Sequence, residues 1–119
     1  LHHRVRTDLW GYAPGEALSN EDLIAERYTG IRPAPGYPAC PDHSVKRDLF
    51  ELLQCGDIGM GLTDSLAMTP AASVSGFMLS HPHSRYFTVG KIGEDQLADM
   101  ARRRGMAEAD LRRLLAPNL

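Results

Sequence analysis

At 119 residues and a net charge of −2, with a pI near 6.2, the chain is one domain or a piece of one and lacks the basic face that nucleic-acid binding requires. Its 43% apolar content allows one modest core, and no apolar run approaches the roughly 18 residues that a membrane span needs. The two cysteines, Cys40 and Cys55, are too few for a disulfide framework, so a reduced, cytoplasmic protein is expected.

The chain opens without an initiating Met or a signal peptide, and Leu1 falls inside an apparent helix. It therefore reads as part of a longer polypeptide. Leu1, Val5 and Leu9 recur at four-residue spacing, which predicts the last turns of an amphipathic helix stopped at Gly11. A turn region follows around Pro14 and Gly15. Ser19 and Asp22 have the spacing of a capping box, and the short helix predicted over about Asn20 to Tyr28 gathers Leu23, Ile24 and Tyr28 on one side. Thr29 and Gly30 end it.

After a proline-rich stretch, Asp42 or Ser44 is placed to cap a third helix. Its buried stripe is expected to be Val45, Leu49, Leu52 and Leu53, with Phe50 beside it and Gly56 at its end. The period then changes from about 3.6 to 2. Leu62–Thr69, Ser73–Ser80 and about Arg85–Val89 read as three strands with short links, an antiparallel meander. Two helices close the chain. One is predicted over about Glu94 to Arg104, with Leu97, Met100 and Ala101 inward, and is stopped by Gly105. The other runs from about Ala107, with Leu111, Leu114 and Leu115 inward, to Pro117. The predicted class is α+β, a β-meander flanked by short helices.

The proline-rich stretch is the part that points to function. From Ile31 to His43, Pro33, Pro35, Pro38 and Pro41 fall at nearly regular spacing and cannot donate backbone hydrogen bonds. Each also drives the preceding residue toward extended backbone, so helix and central strand are both excluded. The expectation is a stiff, extended loop with Gly36 as its permissive point, carrying Arg32, Tyr37, Cys40, Asp42 and His43. A rigid loop loses little entropy when it binds something.

The string Arg32, Pro33, Ala34, Pro35, Gly36, Tyr37, Pro38, Ala39, Cys40, Pro41, Asp42 and His43 resembles the signature of the activation domain of cobalamin-dependent methionine synthases. The resemblance continues, in order, through Leu66-Ala67-Met68, Ala72-Ser73-Val74-Ser75-Gly76, Ser80-His81-Pro82, Tyr86-Phe87, Asp95-Gln96, Arg102-Arg103-Arg104-Gly105-Met106 and Leu115-Ala116-Pro117-Asn118-Leu119. It covers essentially all of residues 1–119 and implies the C-terminal part of that domain. In the family, the domain binds S-adenosylmethionine. That methyl donor remethylates cobalamin that has slipped to cob(II)alamin, with an electron from flavodoxin or an equivalent reductase.

The resemblance also implies residue roles. Arg32 matches the arginine that binds the S-adenosylmethionine carboxylate, a role suited to a planar guanidinium. Ala34 and Ala39 fall where loop backbone lies along the ligand, and Tyr37 where a tyrosine faces the methyl donor. Glu26 matches a glutamate near the ligand's cationic end. Tyr86 and Phe87 match two adjacent ligand-contacting aromatics, often both tyrosine, so Phe87 has lost a hydroxyl. The family's aspartate for the ligand's amino group lies further toward the N-terminus and has no counterpart here. The chemistry is methyl transfer to cobalt held by a neighbouring, cobalamin-binding domain, so this chain's part is proximity and orientation. No catalytic residue is expected within it.

Two other readings of the residues compete. Cys40 and His43, with His81 and His83, are of the types that hold tetrahedral zinc. Yet C-x-x-H is half a motif, and the family keeps its zinc in a distant domain, so no metal is expected and Cys40 reads as a small buried hydrophobe. The arginines at 102–104, 112 and 113 suggest instead a module that docks an acidic partner such as flavodoxin. Charge runs of this kind are usually solvated faces.

Overall fold

The computed structural model describes residues 1–119, which divide into two compact units. The first comprises Leu1–Pro33 and Phe77–Tyr86; the second comprises Ala34–Gly76 and Phe87–Leu119.

In the first unit, helix α1 (His2–Arg4) widens at once into a π-helical stretch, Val5–Leu9, and Gly11 follows with φ +71. The expected apolar stripe does not turn inward. Leu1 is 79% exposed and Leu9 62%, while His2 and Arg6, one turn apart, are buried. Those two side chains find partners inside the unit, and Leu1 and Leu9 do not. Helix α2 (Asn20–Ile24) starts on the expected capping box, in which Ser19 Oγ accepts the Asp22 N–H and Asp22 accepts the Ser19 N–H. It ends four residues earlier than predicted. Glu26 enters the left-handed region at φ +55, so Tyr28 is buried from a turn rather than from a helix, and Ile24 is left exposed.

The class is α+β, as expected, but the strands lie elsewhere. Within the first unit, Ile31 and Leu79 form an isolated antiparallel bridge, each donating to the other's carbonyl at 2.9 Å. Phe77 donates to the Pro33 carbonyl at 2.8 Å, but Pro33 has no N–H to return. The predicted strand Ser73–Ser80 therefore yields a single bridge, to the proline-rich stretch rather than to a neighbouring strand. Gly30 makes this crossing possible. Its φ is +90, and a β-carbon there would overlap the Leu79 carbonyl oxygen.

In the second unit the predicted strand Leu62–Thr69 is a whole hairpin. Strands β1 (Gly61–Leu62) and β2 (Met68–Thr69) pair antiparallel, in the register Gly61 to Thr69 and Leu62 to Met68. Between them, Thr63 exchanges backbone hydrogen bonds with Ala67 and Leu66, and Leu66 sits at φ +65. The predicted strand Arg85–Val89 is absent too. Its one ladder-like bond runs from the Val89 N–H to the carbonyl of Pro38, which again cannot reciprocate.

Helix α3 (Val45–Leu52) is present but rotated from its predicted face, with Lys46 buried and Leu52 and Leu53 exposed. Lys46 Nζ donates to the Leu66 carbonyl at 2.6 Å, tying the helix to the hairpin turn. Asp42 organises the approach to α3 by accepting both the N–H and the hydroxyl of Ser44. The helix stops at Gln54, at φ +51, rather than at Gly56.

The last two helices match expectation. α4 (Glu94–Arg104) ends on Gly105 at φ +60, and α5 (Glu108–Leu114) packs against it. Leu97, Ala101, Leu111 and Leu115 form the apolar core, flanked by Ile92, Met100, Met106 and Leu119. Burying each of the leucines contributes about 1.5–3 kcal/mol.

Candidate functional site

The first unit builds a polar network around Tyr28. Arg6, only 1% exposed, makes a two-pronged ion pair with Glu16, with Nε to Oε2 and Nη2 to Oε1 both at 2.6 Å. Its guanidinium lies 4.3 Å from the centre of the Tyr28 ring, and the His2 ring meets the same tyrosine edge-on at 4.9 Å. Tyr28 in turn accepts a hydrogen bond at its hydroxyl from Arg32 Nη1, at 2.8 Å. The second Nη1 contact of Arg32 is to His2 Nδ1, at 3.2 Å.

Arg32 itself is exposed, and its backbone N–H donates to the hydroxyl of Tyr86 at 2.9 Å. Both protein partners of its side chain sit on Nη1, so the Nε and Nη2 edge makes no hydrogen bond within the unit. That edge is the one that grips a carboxylate with two parallel bonds.

The electrostatics follow from burial and from these partners. Desolvation, reinforced by Arg6 and Arg32, holds the His2 pKa down at about 4. The hydrogen bonds from Arg6 lower the Glu16 carboxyl. Burial raises the Tyr28 hydroxyl, and Glu26 adds to that rise while Arg32 opposes it. Glu26 is thus near enough to feel Tyr28, but its carboxylate has no hydrogen-bonded partner and is exposed to solvent.

The second unit holds the other named loop residues. The stretch expected to be extended folds back on itself there. Gly36 donates to the Cys40 carbonyl at 2.7 Å and Cys40 to the Tyr37 carbonyl at 2.8 Å, closing a tight turn at Tyr37–Cys40. Gly36 supplies the reversal at φ +95, with the His43 ring packed where a β-carbon would stand. Ala34 and Ala39 are half-buried in this turn, whereas Tyr37 projects at 66% exposed and Phe87 at 58%.

The residues of the zinc reading each have another setting. His43 covers Gly36, Cys40 is half-buried with its thiol pushed up by desolvation, and His81 and His83 stack edge-on at 5.2 Å. No group of three or more His, Cys, Asp or Glu side chains gathers in one place. The arginine run is locally neutralised. Arg102 and Arg103 pair with Asp99, Arg104 with Asp42, Arg112 with Glu94 and Glu108, and Arg113 with Asp110. No helix is long and apolar enough to cross a membrane.

Residues 1–105 match the family model described as vitamin B12 dependent methionine synthase, activation domain. The chain belongs to that family. Among solved structures it is similar to one described as the crystal structure of the MetH reactivation domain bound to AdoHcy, with a TM-score of 0.94 and 58% sequence identity. The match covers 99% of this chain and 37% of the other, so the chain spans little more than a third of that structure's length.

Within this activation-domain family member, the first unit brings Arg32 and Tyr86 together, with Glu26 at its margin. Tyr37, Ala34, Ala39 and Phe87 belong to the second unit. Sequence reasoning missed His2 and Tyr28 as partners of Arg32, and Arg6 and Glu16 as the ion pair behind them. One signal was present, since His2 and Arg6 are four apart and so share a helical face one position round from the apolar stripe. Glu16 and Tyr28 carried no such signal, because only folding brings them to that face.

Proposed function

We propose that this chain is the C-terminal portion, over residues 1–119, of the activation domain of a cobalamin-dependent methionine synthase, and that it binds S-adenosylmethionine. The observation that carries the reading is the likeness, at 58% identity over 99% of the chain, to a reactivation domain bound to AdoHcy, the product-like analogue of that methyl donor. The donor set fits. An exposed guanidinium with one free edge suits the ligand's carboxylate, and the exposed Glu26 carboxylate suits its ammonium or sulfonium. Tyr86, Tyr37 and Phe87 offer aromatic surface, and Ala34 and Ala39 offer backbone without bulk.

In this reading the chain's residues bind and orient the methyl donor, and the reacting cobalamin is carried by a neighbouring domain of the same methyltransferase. Flavodoxin or an equivalent reductase supplies the electron, and the setting is cytoplasmic. The acceleration comes from holding the donor in a reactive geometry rather than from an acid, a base or a nucleophile.

The test is Arg32→Ala in the full-length protein, with S-adenosylmethionine affinity measured by titration calorimetry. Loss of a charge-assisted contact is expected to weaken binding about ten- to a hundredfold. An unchanged dissociation constant refutes the assignment of Arg32, and absence of binding in the unaltered protein refutes the function.

A further inference from the structure

We propose that His2 is a positioning residue for Arg32, holding its guanidinium so that the Nε and Nη2 edge stays free for a carboxylate. The inference rests on the reading of Arg32 as the carboxylate-binding group and adds a residue to which neither sequence nor family resemblance assigns a role. Arg32 is exposed, and a long exposed side chain ordinarily samples many rotamers. Here Nη1 is anchored twice, to the Tyr28 hydroxyl and to His2 Nδ1, and both anchors are buried. Two contacts on one terminal nitrogen fix both the position of the guanidinium and the rotation of its plane.

The histidine suits this role in only one protonation state. Arg32 has donors alone, so His2 Nδ1 must be an acceptor. The other ring nitrogen, Nε2, lies 3.4 Å from the Tyr12 hydroxyl, which donates its own proton to the Thr29 carbonyl at 3.0 Å. That hydroxyl therefore accepts from Nε2–H. The neutral ring with its proton on Nε2 satisfies both neighbours, and the chain of bonds from Thr29 through Tyr12 and His2 to Arg32 has one consistent direction. The cations facing the ring, Arg6 and Arg32, and its burial favour the same neutral state.

Two substitutions separate positioning from simple structural support. In His2→Gln the side-chain amide reaches toward Tyr12 but leaves Arg32 without its acceptor. In His2→Asn the amide oxygen stands close to where Nδ1 stood. Affinities in the full-length protein are measured for S-adenosylhomocysteine, which has the carboxylate, and for methylthioadenosine, which lacks the amino-acid moiety. His2→Gln is expected to weaken the first about tenfold and leave the second unchanged, with His2→Asn close to the unaltered protein. In an Arg32→Ala background the His2→Gln effect should vanish.

Equal losses for both ligands, or no loss from His2→Gln when Arg32→Ala does weaken binding, overturn the positioning role and leave the function standing. No loss from Arg32→Ala refutes the assignment of Arg32, and this inference with it, whereas the function reading falls only if the unaltered protein does not bind. Should His2→Gln fail to fold, Tyr12→Phe takes its place, because losing that acceptor frees the ring to protonate Nδ1 and oppose Arg32. It should show the same selectivity for the carboxylate ligand, and an equal or absent effect again overturns the proposal.

Discussion

The hydroxyl of Tyr86 accepts the backbone N–H of Arg32 at 2.9 Å, joining positions 54 residues apart. The aromatic residue singled out as a ligand contact therefore also fixes the backbone of the arginine proposed to bind the carboxylate. Because Pro33 follows directly, the next residue has no N–H with which to add a second bond of this kind.

Tyr86→Phe should release that amide without disturbing any core. Amide hydrogen exchange at Arg32 in the ligand-free protein is expected to speed up about fivefold, corresponding to a net bond of about 1 kcal/mol. An unchanged exchange rate would show that the Tyr86 hydroxyl does not hold the loop.

Removing the carboxylate from Glu16 should be among the most damaging changes in the first unit. Its side chain is 6% exposed and that of Arg6 1%, so Glu16→Ala strands a buried guanidinium. Breaking one side of such a pair typically costs about 3–5 kcal/mol, although the intact pair contributes far less than that in net terms. Urea denaturation of the full-length protein, following tryptophan fluorescence from Trp10, reports the loss. A midpoint equal to that of the unaltered protein would mean that Arg6 finds water or another acceptor.

Acid should loosen the first unit in two overlapping stages. His2 is held at about 4 against its usual 6.5, so below 6.5 the unfolded chain takes up a proton that the folded one refuses. Stability is unaffected by this group above 6.5, falls as pH drops from 6.5 to about 4, and is level below that. The total is on the order of 3 kcal/mol. The groups facing the ring are Arg6, Arg32, Tyr12 and Tyr28, with Glu16 behind Arg6, and its partial counter-attraction is outweighed. The carboxyl of Glu16 is lowered from 4.5, so the stability it contributes is present above 4.5 and lost as pH falls further. Thermal melting between pH 7 and 4.5 should show a decline that His2→Asn reduces, the remainder coming from His43, which burial also holds below its usual value. A decline that this substitution leaves undiminished would locate the sensitivity elsewhere.

Gly30→Ala tests the crossing of the proline-rich stretch by Leu79. The added methyl would meet a backbone carbonyl, which cannot swing aside as a side chain does, and the left-handed backbone adds about 1–2 kcal/mol of its own. The Ile31 to Leu79 bridge should open, and S-adenosylmethionine binding should fall with it. Native-like exchange protection at Ile31 and Leu79 in this variant would contradict the account.

Lys46→Met tests the second unit in the same way. The Nζ of Lys46 is buried on the Leu66 carbonyl, in a turn that Leu66 enters at positive φ. Loss of that charged donor should cost about 1.5–3 kcal/mol in denaturant unfolding, partly offset by the apolar replacement. A gain in stability would show that desolvating the ammonium outweighs its bond.

Much of this protein was decided locally, and those parts were legible in its residues alone. The Ser19 and Asp22 cap, helices α4 and α5, their Leu97, Ala101, Leu111 and Leu115 core and the Gly105 stop depend on neighbours within a turn or on the next helix. The string from Arg32 to His43 carried the family. What tertiary structure alone decided is which face of the first helix and of α3 turned inward, and where the strands paired. Burial of His2, Arg6 and Lys46 is favourable only because Glu16, Tyr28, Arg32 and the Leu66 carbonyl stand ready to meet them. Hydrophobic periodicity cannot register such partners, so it assigned those faces to leucines. The strands failed for a related reason. Period-two alternation marks a segment able to pair, but a ladder needs donors on both sides, and the segments that Phe77 and Val89 meet are prolines.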